Sequence, residues 1–199
     1  MTYSRVSNTQ AREERLTPDL LALHALRPRG TWDSLPSGGL AHTWLAMHDS
    51  LRHGQAMLER LATHWQLKLI DAARFREQAL PLLQQHLGHL HGHHRLEDTH
   101  YFPQFRVMEP RIGSGIDLLE NDHESLHRAI DVLEELTRRL ASLGLDDPET
   151  SALIQKLAGA LHRFGPEMRQ HLLDEEDLVI PLLAIADNHN TPPDNKESA

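Results

Sequence analysis

The chain has 199 residues, a formal net charge of −9, no cysteine, and sixteen histidines, more than its Phe, Tyr and Trp combined. The missing thiol excludes disulfides, iron–sulfur ligation and cysteine nucleophiles, and the acidic balance excludes a surface built to neutralise nucleic-acid phosphates. One domain is the expected size, no apolar run reaches the roughly 18 residues of a membrane span, and Met1-Thr-Tyr-Ser-Arg5 lacks the apolar core of a secretory signal, which makes the cytoplasm the expected address.

Leu and Ala dominate the apolar residues while Val, Ile, Tyr and Phe are scarce, a palette that favours helices because unbranched side chains lose little rotamer freedom there. Residues 1–39 mix charges with the turn formers Pro28-Arg-Gly30 and Pro36-Ser-Gly-Gly39. They read as a partly mobile or draped arm, with a short helix near Leu20–Leu26, placed to cover the mouth of a helical bundle. A first long helix carries Trp44, His48, Leu51, Gln55, Leu58, Ala62 and Trp65 at alternating steps of four and three, the mark of one buried face. A second runs from an N-cap at Asp71 to about Phe105, with Pro81 kinking it or marking its true start. The third places Ile116, Leu119, His123, Leu126, Ile130, Leu133, Thr137 and Leu140 on one seam and stops before Gly144. Asp147-Pro148 opens the fourth, which carries Leu157, Leu161, Phe164, Met168, His171, Glu175, Leu178 and Leu182 and should bend at Gly165-Pro166. The last residues, 187–199, are polar and read as a disordered tail. No strand pattern competes, so the expected fold is all-α, an antiparallel up-down-up-down four-helix bundle over residues 40–186.

The two halves repeat. His93-His-Arg-Leu-Glu97-Asp98 with Tyr101-Phe102-Pro103 matches His171-Leu-Leu-Asp-Glu175-Glu176 with Val179-Ile180-Pro181. The preceding helices each carry a seam histidine, His48 and His123, followed by Leu at +3. Residues four apart share a helix face, so His93/Glu97, His171/Glu175 and His123/His127 each aim two donors one way, and His48 adds another. A lone seam histidine is most often a satisfied core residue. Seven polar groups at one level of a small core would cost several kcal/mol each unless a cation compensates them, and nitrogen with oxygen donors suits iron, manganese or zinc. His53, five residues past His48, leaves the seam. The repeat leaves His94 and Asp98 behind the ligands or at the surface, and turns His86 and His100 inward in the places of Phe164 and Leu178. His94, His100 and Tyr101 would be candidate proton donors.

Over about residues 40–186 these segments resemble the hemerythrin-like (HHE cation-binding) domains: His48 within Met47-His-Asp-Ser-Leu-Arg52, His93-His-x-x-Glu-Asp with Tyr-Phe-Pro103, Asp122-His123 with His127, and His171-x-x-x-Glu-Glu with Ile-Pro181. The resemblance implies a non-haem di-iron centre. One iron would take His123, His127 and His171, the other His48 and His93, with Glu97, Glu175 and an oxo or hydroxo group between them and an open position for dioxygen, nitric oxide or peroxide. Two positions depart from the oxygen carriers of that family: the last carboxylate is Glu at +4 rather than Asp at +5, and His100 stands where an apolar residue would be expected.

The expected function is therefore a di-iron protein that binds or senses a small ligand or handles iron, acting through a protein partner if it is a sensor. An enzyme turning over peroxide or nitric oxide is the first alternative. A His-rich bundle without a tight metal is the second.

Overall fold

The computed structural model describes residues 15–144 and 146–190, with side chains up to Asp187. Its elements are α1 (Ala22–Leu26), α2 (Leu40–Gln66), α3 (Ala72–Leu96), a π-helical turn (Glu97–Tyr101), α4 (Phe102–Met108), α5 (Gly113–Ser142) and α6 (Thr150–Asn190), with 3-10 turns at Arg29–Ser34 and Pro110–Ile112. Among the described residues there is no strand, and no helix is long and apolar enough to cross a membrane.

Local chemistry sets the helix ends. Asp71 caps α3 by accepting a hydrogen bond from the Arg74 amide at 2.8 Å, satisfying one of the donors a helix leaves unpaired at its start. Gly39 before α2 has no side chain to do this. The Asp187 carboxylate, from the far end of α6, accepts from the Leu40 and Ala41 amides at 3.3 and 3.2 Å instead. A Cβ at Gly39 would collide with that carboxylate. α6 thus continues past Ala186, where the bundle was expected to end, and its extension caps another helix. α3 begins at Ala72 and passes through Pro81 unbroken, so Pro81 is not its start. α6 begins at Thr150, two residues beyond Pro148, after Asp147 accepts from the Glu149 amide, and contains Pro166 and Pro181.

The long helices pack in a closed ring: α2 on α3, α3 on α5, α5 on α6 and α6 on α2. Two apolar clusters fill it. One contains Leu51, Leu58, Phe75, Leu90, Leu126, Ile130, Leu157 and Leu172. The other contains Trp44, Phe102, Phe105, Leu119, Leu178 and Ile180. Full burial of such side chains stabilises by roughly 1.5–3 kcal/mol each. Along α2 and α5 the chain runs from the second cluster to the first; along α3 with its continuation, and along α6, it runs back. On every long helix a buried histidine, His48, His93, His123 or His171, stands between the two clusters, and with Glu97 and Glu175 they form a polar layer across the ring.

Residues 15–35 lie over the second cluster. Leu16, Leu20, Leu23 and Trp32 are buried in it, and Arg15 and Arg29 reach acidic residues of α5 and α6. The described part of the arm is draped; residues 1–14 lie outside the described residues, as do 191–199.

Candidate metal centre

Two groups of side chains converge in the polar layer. His48, His93, Glu97 and Glu175 each offer a ligand atom within 4.8 Å of the others, as do His94, His123 and His171. All seven residues are at most 3% exposed. The glutamates join the groups. Glu175 places Oε1 at 3.3 Å from His48 Nε2 and Oε2 at 3.4 Å from His171 Nε2. Glu97 places Oε1 at 3.1 Å from His93 Nδ1 and Oε2 at 3.5 Å from His123 Nε2. Each carboxylate therefore has one oxygen on either side, as a bridge between two cations requires.

Outer carboxylates stand behind the imidazoles, two of them within hydrogen-bond distance. Glu176 lies 3.0 Å from His48 Nδ1, Asp98 lies 2.7 Å from His123 Nδ1, and Asp122 lies 3.6 Å from His171 Nδ1. In all three rings the other nitrogen, Nε2, turns to the centre, the arrangement that orients and strengthens metal-binding imidazoles. Arginines hold the carboxylates in turn: Arg29 and Arg52 on Glu176, and Arg15 on Asp122. The Trp44 indole N–H donates to Glu175 Oε1 at 2.6 Å.

Charge follows from this layout. Burial opposes a proton on His48, but Glu175 and Glu176 outweigh it and raise its pKa to about 9. Burial lowers His93 to about 3 and, with the neighbouring imidazoles, lowers His94 further still. Burial and the facing Glu175 carboxylate raise Glu97 well above the ordinary range. Burial works against ionising Glu175 too, yet the charge of His48 and the neighbouring His171 and His93 imidazoles hold it well below. Two carboxylates this close cannot both stay charged without a compensating cation.

The orphaned atoms supply the test of fit. His48 Nε2, His93 Nε2, both ring nitrogens of His94, both oxygens of Glu97 and Glu175 Oε2 are buried with no hydrogen-bond partner. Native interiors rarely leave such atoms unsatisfied, at about 1–3 kcal/mol each. Imidazole lone pairs and carboxylate oxygens are the donor set that first-row cations take. The residues fit a metal centre.

Six of the seven residues singled out by spacing are brought together here: His48, His93, Glu97, His123, His171 and Glu175. His127 is in neither group. Its ring stands 6.2 Å from that of His123, while His94, placed behind the ligands by the repeat, stacks on His123 at 4.2 Å and fills the space between them. Asp98 is the outer partner of His123. His86 is buried, beside a Gly54 that leaves it room. His100 was expected to point inward but is exposed and pairs with Gln104. The π turn at Glu97–Tyr101 is the reason. It takes up one extra residue, so the helix beyond turns by about 100° relative to an unbroken repeat. Phe102 enters the core and Tyr101 packs edge-on against Trp44 at 4.8 Å. Spacing did not single out Trp44, Asp122, Glu176, Arg15 or Arg29 as parts of the site. The acid at +5 in both repeats was the available sign for Glu176.

The family model described as Hemerythrin HHE cation binding domain matches residues 39–183 of the chain. No curated protein and no solved structure matches it.

Proposed function

The chain belongs to the hemerythrin HHE cation-binding family, and from that premise we propose that it is a non-haem di-iron protein that binds or senses a small ligand such as dioxygen, nitric oxide or peroxide, or handles iron. The alternation of chain direction between the two apolar clusters supports the antiparallel up-down-up-down bundle of such a domain. His48 and His93 would serve one ion, His94, His123 and His171 the other, and Glu97 and Glu175 both. The observation that carries the two-ion reading is that both carboxylates have an oxygen on each histidine group.

Bound ferrous ions would supply electrons and an open position to a small oxidising ligand. The protein's own part is to hold and screen. Glu176 and Asp98 fix the His48 and His123 imidazoles, Asp122 stands behind His171, Trp44 holds Glu175, and an apolar cluster on either side excludes water. Burial of every inward group favours a ligand of a few atoms over a larger substrate. A cavity of about 440 Å³ lined by Arg15, Asp122, Gln170 and His171 reaches the outer side of His171. A sensing role would act through a protein partner, in the cytoplasm.

Anaerobic loading with ferrous iron, followed by optical spectra after dioxygen, nitric oxide and peroxide, tests this reading. A new absorption band that reverses when the ligand is removed is expected. Sustained peroxide or nitric oxide consumption would move the protein to the enzyme reading, and no spectral response would overturn the proposal.

A further inference from the structure

The long helices carry more histidines than the centre uses, and two of the surplus, His91 of α3 and His127 of α5, lead toward it. Gly88 and Gly92 open a groove in which a Cβ at either position would meet nothing within 4 Å. The cavity there has a volume of about 630 Å³ and is lined by His91, His127 and Asp98, with Arg95 also on its wall. His91 is half-exposed and holds Nε2 at 3.1 Å from Glu134 Oε1. Its ring lies 5.7 Å from that of His127. The His127 ring lies 5.2 Å from His94, and His94 lies 4.2 Å from His123 and 5.6 Å from His171. The imidazoles thus step from solvent to the centre without a gap. His127 Nε2 and both nitrogens of His94 are buried with no hydrogen-bond partner, so the inner rungs have free donor atoms.

We propose that this groove is the port by which a divalent first-row cation enters the centre, held first by His91 and Glu134 and then passed inward along His127 and His94. The inference rests on the two-metal reading. The chemistry favours it over a fixed third site. His91, His127 and Glu134 do not converge on one point as the two inner groups do, and a few borderline donors at unequal spacing hold a cation loosely enough to release it. The half-exposed Glu134 carboxylate raises the local cation concentration, and each ring offers a nitrogen at one more step.

The test is the rate of Co²⁺ uptake by full-length protein stripped with a chelator, followed by the visible bands of the bound ion. His91→Ala removes the outer donor. Gly92→Leu fills the groove at a position with open space around it, leaving the inward residues untouched. Each variant should load on the order of tenfold more slowly, the low end of what a charged cleft adds to an on-rate. The final Co²⁺ content and spectrum should match the unsubstituted protein. Unchanged rates in both variants would overturn the port alone. A lower final content in His91→Ala would also overturn it, because His91 would then be a ligand. Failure of the unsubstituted protein to bind Co²⁺ would overturn the two-metal reading and the port together.

Discussion

Replacing His94 with Leu should have opposite effects on the metal-free and the metal-loaded protein. His94 is fully buried, and neither ring nitrogen has a hydrogen-bond partner. An unsatisfied buried polar group costs about 1–3 kcal/mol, and leucine has a similar volume without that penalty. Leu172, the equivalent position of the other repeat, shows that leucine suits this level of the core. The metal-free variant should therefore gain about 2 kcal/mol, taking the middle of that range for the pair of nitrogens. At about 2–4 °C per kcal/mol for a domain of this size, its Tm should rise by roughly 4–8 °C. With metal present the variant lacks a donor to one ion, so the added stability of RT ln(1 + [L]/Kd), about 2.7 kcal/mol at a hundredfold excess over Kd, should shrink. Calorimetry with and without ferrous or cobalt ion, together with metal analysis, reads both terms. A lower Tm in the metal-free variant, or a metal increment equal to that of the unsubstituted protein, would refute the assignment of His94 as a donor.

His86 gives the clearest pH effect away from the donors. Burial, with some repulsion from His89, lowers its pKa to about 4 from 6.5. The unfolded chain takes up a proton as pH falls through 6.5 while the folded chain does not, so stability drops between pH 6.5 and 4, by about 3 kcal/mol at the lower end. His86→Leu should flatten that slope in acid-denaturation curves, and an unchanged slope would show that His86 ionises freely in the folded state. Glu176→Gln should weaken metal affinity by about 10–100-fold through the loosened His48, without changing the number of ions at saturation; equilibrium titration against a chelator decides it. Gly39→Ala should destabilise the fold by about 1–2 kcal/mol, because the Cβ displaces the Asp187 carboxylate that caps α2. Urea denaturation measures that loss, and full stability would mean the cap is dispensable.

The helix seams and most of the polar layer were legible because burial at steps of three and four is a direct consequence of helix geometry. Trp44, His48, Leu51 and Leu58 line one face of α2 as their spacing requires, and the i, i+4 pairs His93/Glu97 and His171/Glu175 meet as expected. The choice between His94 and His127 was not legible. It depends on how far each helix is rotated, and adjacent residues of α3 differ by only about 100°. The exposure of His100 depends on a π turn, which no hydrophobic period announces. The outer layer was half legible: the repeated acids at +5, Asp98 and Glu176, marked it, but Arg15 and Arg29 come from an arm whose irregular course leaves no periodic trace.

The two-metal proposal is tested most directly by titrating metal-free protein with ferrous iron under anaerobic conditions and counting bound ions per chain. Two carboxylates, each divided between two histidine groups, predict saturation at about two ions per chain, with protons released as Glu97 and His48 give up theirs. Saturation at one ion, or no binding, would contradict the account.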